Sequence, residues 1–81
     1  MGSISSIVNT VIKAKNEEEM QNLLEGLLTP SETEEIATRL EIVKLLKQGM
    51  GQHAIAKKLN IGVATVSRGA KEIKEGKFKY V

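Results

Sequence analysis

Residues 51–69 read GQHAIAKKLNIGVATVSRG, and the reading of the fold turns on them. Gln52 to Leu59 predicts a short helix with Ile55, Ala56 and Leu59 on its inner side. Asn60 follows where the chain must turn, and asparagine tolerates the left-handed conformation. Ile61 is placed to fill the gap between this helix and the next. Gly62 stands at the expected N-cap of a second helix reaching about Glu75, with Val66 and Ile73 turned to the core. The small Ala56 lets the two helices approach. Ala56, Asn60, Ile61 and Val66 together have the spacing of a helix-turn-helix.

The second helix begins with little side chain: Gly62, Val63, Ala64, Thr65, Val66 and Ser67 precede Arg68. In helix-turn-helix units the first residues of the second helix enter the major groove of duplex DNA. Small residues there let the backbone come near the base edges. Thr65 and Ser67 offer hydroxyls, and the methyls of Ala64 and Thr65 match a thymine methyl. Arg68, Lys71 and Lys74 then make the face basic. A plain helical hairpin accounts for Ile55, Leu59, Ile61 and Val66. It does not account for an outer face that is small, hydroxylated and then cationic.

Upstream, LTPSETEE at 28–35 marks another helix start. Thr29 suits the N-cap, Pro30 the first helical position, and Glu32 stands three residues after the cap. This helix is expected to run to about Gln48 and stop at Gly49. Its apolar residues, Ile36, Ala37, Leu40, Ile42, Val43, Leu45 and Leu46, cover well over half the circumference at ~100° per residue. A helix so apolar needs burial on more than one side, which short neighbours in one chain do not supply; a second chain is expected. Arg39 points into the apolar arc by the same angle count. Its guanidinium cannot shed its charge. It must therefore snorkel to water or pair with a Glu, or else face a ligand carboxylate or a DNA phosphate.

Two shorter helices come first. Ile4, Ile7, Val8, Val11 and Ile12 lie on one helical face, with Lys13 and Lys15 near its end, where the helix dipole favours cations. Asn16 and Glu19 form a capping pair for the next segment, whose stripe is Met20, Leu23, Leu24, Leu27 and Leu28.

The 81 residues make one domain, 1–81: dimerisation helices over 1–48, the helix-turn-helix over 52–75 and a tail over 76–81. Phe78 and Tyr80 are the only aromatics, so the core is aliphatic. With no Cys and a single His, His53, there is no disulfide framework, thiolate metal site or His cluster. No nucleophile–base pair or phosphate-cradling glycine loop appears, so neither an enzyme nor a metal protein is expected. No apolar run approaches the ~18 residues of a membrane span, and no secretory pattern is present. A soluble, cytoplasmic protein with no membrane partner is expected. MGSISS fits a pattern for lipid attachment at Gly2, but the pattern is short and an expression remnant explains Met1-Gly2-Ser3 as well, so lipid attachment is not expected.

Charge is uneven. Residues 1–38 set seven Glu against Lys13 and Lys15, a net of −5, whereas residues 39–81 set ten Lys and Arg against Glu41, Glu72 and Glu75, a net of +7. A basic half suggests a polyanionic partner or merely a solvated lysine surface.

Residues 27–69, LLTPSETEEIATRLEIVKLLKQGMGQHAIAKKLNIGVATVSRG, resemble the Trp repressor superfamily. The landmarks are LTPxE at 28–32, Thr38-Arg39, Ile42-Val43 and GVATVSRG at 62–69. The resemblance implies an all-α fold of five short helices with a C-terminal helix-turn-helix, an interlaced homodimer, and a sequence-specific repressor of transcription that binds double-stranded DNA. By position, Val63, Ala64, Thr65 and Ser67 would face bases, flanked by Gly62 and Arg68. Gln52, His53 and Lys71 would meet phosphates.

The Trp-binding members use L-tryptophan as corepressor, clamped between two arginines that match Arg39 and Arg68. Thr29, Leu27 and Leu28 match positions near that ligand. Glu72 stands where those members usually carry a serine near the ligand's amino group; it can meet an ammonium or neutralise Arg68. The segment between Val43 and Gln52 is one residue shorter than in the Trp-binding members, and KFKYV comes where longer members continue into a last helix. Two rival readings stay open: a ligand-independent helix-turn-helix protein with Arg68 on DNA, and a helical protein-interaction module with a basic surface.

Overall fold

Helix boundaries arise from local chemistry. The computed structural model describes residues 2–81; Met1, the first residue of the lipid-attachment pattern, lies outside them. Five helices succeed one another: α1 Ser3–Val11, α2 Glu17–Leu27, α3 Pro30–Lys47, α4 Gln52–Leu59 and α5 Val63–Lys74. No strand occurs among the described residues, so the expected all-α class is the class observed.

The starts carry the expected caps. At α3 the Glu32 N–H donates to Thr29 Oγ1 at 3.1 Å, and the Thr29 N–H donates to Glu32 Oε1 at 2.9 Å. That is a closed capping box, satisfying two backbone donors that the helix leaves free. The backbone hydrogen bond from Thr29, and then its side-chain bond, hold the Glu32 carboxyl below its ordinary pKa. At α2 the Glu19 N–H donates to Asn16 Oδ1 at 2.9 Å, but the Glu19 carboxylate accepts from the Lys15 N–H at 2.9 Å instead of from the cap residue. The box is displaced by one residue. Lys13 and Lys15 come after α1 rather than lying in its last turn, which holds no basic residue.

The stops repeat one device. Gly49 (φ +91°), Asn60 (φ 55°) and Gly76 (φ +97°) are left-handed, one after each of α3, α4 and α5. In each case the next residue's N–H reaches back to the helix: Met50 to Leu45 O, Ile61 to Ala56 O and Lys77 to Glu72 O, all within 3.1 Å. These are Schellman closures, which satisfy carbonyls left over at a helix end. Asparagine serves where the other two sites use glycine.

The chain divides into two units, one ending at Thr33 and one from Glu34 to Val81. In the first, no residue of α1 or α2 is buried. Ile4 is 68% exposed and Leu27 53%. The second unit holds the core. Ile42 and Leu45 of α3, Ile55 and Ala56 of α4, and Val66 of α5 are buried together, with Leu46, Met50, Leu59 and Ile61 packed against them. Ile55 and Val66 are fully covered. Gly69 of α5 lies against α3: a Cβ there would stand 3.1 Å from Ile42 Cγ2 and 3.7 Å from Leu46 Cδ1. A side chain at this position would have to push the Ile42 methyl aside by a few tenths of an ångström, against the close packing of the core.

The other end of α3 is uncovered. Ile36, Ala37 and Leu40 are exposed although they belong to the same apolar arc as Ile42 and Leu45. The tail turns back at Phe78, which is half-buried with φ 59°, and Lys47 Nζ donates to the Phe78 and Val81 backbone oxygens. Tyr80 remains outside, 99% exposed.

Candidate nucleic-acid interface

The buried side of α5 dictates what its other side shows. Val66 is fully buried and Gly69 faces Ile42 three residues later. At ~100° per residue the positions between them must point outward. Val63, Ala64, Thr65, Ser67, Arg68 and Lys71 are all exposed, as is the capping Gly62. Gln52 and His53, in the first turn of α4, are exposed too. Every residue expected to face DNA is thus accessible, and the start of α5 presents a narrow ridge: no side chain before Arg68 is longer than valine.

Two polar contacts hold this surface in shape. The Ser67 hydroxyl donates to Gln52 Oε1 at 2.5 Å, joining the outer face of α5 to the start of α4. The Ser67 hydrogen is thereby committed within the protein, and the hydroxyl oxygen keeps its lone pairs as acceptors. Thr65 makes no side-chain hydrogen bond among the described residues and is the free hydroxyl of the ridge. The second contact is an ion pair one turn long, Arg68 Nε to Glu72 Oε1 at 2.9 Å. It takes one of the five guanidinium N–H groups and leaves the terminal nitrogens unpartnered on the described chain.

The residues assigned to a ligand by resemblance fall into both units. Leu27, Leu28 and Thr29 belong to the first, Arg39, Arg68 and Glu72 to the second. Arg39 is exposed and forms no ion pair among the described residues. Of the alternatives the sequence left for it, its exposure matches a guanidinium that reaches water, beside the exposed Ile36 and Leu40. Thr29 already bonds Glu32 in the capping box.

Two residues of consequence escaped the sequence reading. Gly69 looked like the end of a motif and is the helix crossing; its signal was a residue without a side chain three positions after a core valine. Lys47, which anchors the tail, gave no local signal because its partners lie 31 and 34 residues away. Among the described residues no group of His, Asp or Glu is placed to hold a metal ion, and no helix is long and apolar enough to cross a membrane.

The chain thus combines an all-α fold with a short helix, a left-handed turn and a second helix bearing a slim, basic outer face. The family described as Trp repressor protein matches residues 3–81. The chain is 38% identical over 69 residues to the Trp operon repressor homolog of Vibrio cholerae, covering 84% of this chain and 67% of that protein. The corresponding homolog of Vibrio vulnificus is 38% identical over 69 residues, covering 84% and 68%. That of Aliivibrio salmonicida is 37% identical over 71 residues, covering 86% and 66%. No solved structure matches the chain. The chain belongs to the Trp repressor family, whose members are DNA-binding regulators of transcription and not enzymes.

Proposed function

We propose that this chain is a homodimeric, sequence-specific repressor that presents α5 to the major groove of double-stranded DNA in the cytoplasm. The observation that carries the proposal is the two-sidedness of α5. Val66 and Gly69 fasten it from behind, and Val63, Ala64 and Thr65 lie exposed in front with nothing longer to hold them off the base edges. Gln52, His53 and Lys71 flank that ridge as phosphate contacts, with Gly62, Ser67 and Arg68 beside the bases. On this reading residues 1–81 form one domain, with 1–48 serving dimerisation. The uncovered stripe of Ile4, Ile7, Val8 and Ile12, and the exposed Ile36 and Leu40, support a second copy as its cover.

Selection of bound sequences from random duplexes tests the proposal. A symmetric two-part site is expected. Thr65→Ala is expected to relax preference at one position by about 1–3 kcal/mol, whereas Lys71→Ala weakens all duplexes alike and lowers the salt slope by about one. Equal binding to every sequence would instead support the interaction-module reading.

An aromatic amino acid such as L-tryptophan is the effector the family suggests. The donor set suits its charges in part: Arg39 is free for a carboxylate, and Glu72 is an acceptor for an ammonium. The Arg68–Glu72 pair nevertheless favours the ligand-independent reading, because each of those groups already has a partner without a ligand. Calorimetric titration with L-tryptophan decides between them: heat that disappears in Arg39→Ala supports control by the amino acid, and no heat with DNA binding intact supports the ligand-independent repressor. An effector would act only through its differential affinity for the DNA-competent form.

A further inference from the structure

Glu72 stands one turn after Arg68 on α5, next to Lys71, and a carboxylate beside a polyanion weakens binding by simple charge. Its geometry shows what it does there. The Glu72 side chain is only 21% exposed, whereas that of Arg68 is 71% exposed. The covered partner is the fixed one and the accessible partner is the one being held. Helix stability alone gives the pair little reason, since arginine N-terminal to glutamate is the weaker order for a bond across one turn.

The carboxylate takes Nε, at 2.9 Å. This restrains the plane of the guanidinium and leaves its two terminal nitrogens, the fork that recognises a phosphate or a guanine edge, free. An unrestrained arginine loses several rotors' freedom on binding; a tethered one has lost part of it beforehand.

We propose that Glu72 is a positioning residue that orients Arg68 for one contact on the DNA, giving up general affinity for sequence discrimination. This rests on the reading of α5 as the DNA-facing helix. The tether and the charge make opposite demands on a variant, so they separate. Glu72→Ala removes both. Glu72→Gln removes the charge but keeps an oxygen that accepts from Arg68 Nε.

The test measures binding of the full chain to its selected duplex and to a scrambled duplex, at several salt concentrations, with circular dichroism to check the fold. Glu72→Ala is expected to bind the scrambled duplex more tightly than wild type and yet lose roughly tenfold in the ratio of selected to scrambled affinity, the scale of one well-made bidentate contact to a base edge. Glu72→Gln is expected to bind both duplexes more tightly and keep most of the ratio. Glu72→Ala made in an Arg68→Ala background is expected to leave the ratio unchanged, because the residue to be positioned is gone. A loss of helix that lowered both affinities together would mean a structural role and overturn the proposal. So would a ratio that Glu72→Ala leaves intact. A wild-type chain that prefers no duplex would instead overturn the DNA-reading assignment of α5, and this inference with it.

Discussion

α1 and α5 are amphipathic helices of similar length, 9 and 12 residues, and they meet opposite fates. The valine at the centre of the α5 stripe is fully buried; Ile7 at the centre of the α1 stripe is 51% exposed. The difference lies in the turn that joins each helix to its neighbour. α5 is joined to α4 through a left-handed Asn60 that turns the chain back within three residues, so the two apolar faces close on each other and on α3. α1 leads to α2 with no such closure, and neither helix buries a residue. Amphipathic pattern creates a demand for burial; only chain reversal at the right residue meets it within one molecule.

The largest expected effect is on the covered side. Ile55→Ala should cost about 2–5 kcal/mol, seen as a lowered midpoint in denaturant, because Ile55 is fully enclosed and its neighbours cannot collapse into the space. Gly69→Val comes next. The contact with Ile42 leaves no room for a branched side chain, so the loss should be about 1–3 kcal/mol by the same measurement. Neither loss is expected from Ile7→Asp on the exposed stripe. That change should leave the helical signal of the second unit standing and convert a dimer to a monomer in sedimentation; an unchanged sedimentation coefficient would remove α1 from the proposed interface.

The smallest effect concerns the cap of α3. The Glu32 carboxyl titrates lower in the folded chain than in the unfolded one. Its contribution is therefore complete above the unfolded-state pKa and is lost as pH falls through the folded-state value. Glu32→Gln should show a shallower decline in stability across that acidic window than the parent chain.

Much of the fold was legible because its signals are local. Thr29, Pro30 and Glu32 announce α3 within four residues, and Gly49 and Asn60 announce stops because they tolerate the left-handed geometry that other residues resist. Ile61 was expected to plug the space beside α4 and lies against the core. The candidate interface was legible by subtraction: once Val66 faces inward, Ala64, Thr65 and Ser67 cannot. Partnerships were harder to read. Ser67 has a hydroxyl that looks free in the sequence and is bonded to Gln52, 15 residues away. The angle count puts Arg39 in the apolar arc of α3 but does not say whether that arc is covered, and in the single chain Arg39 is exposed beside Ile36 and Leu40.

The sequence by itself determined the bounds of α3 and α4, which stripes are apolar, and which residues could stand at the tip of α5. Periodicity and capping act over a few residues, and they are written in consecutive letters. Only the tertiary structure decided that α5 crosses α3 at Gly69, that Gln52 holds Ser67, that Lys47 anchors the tail, and that the α1 stripe stays open within its own chain. Those outcomes depend on distances between atoms far apart along the chain, set by the volumes that pack between them.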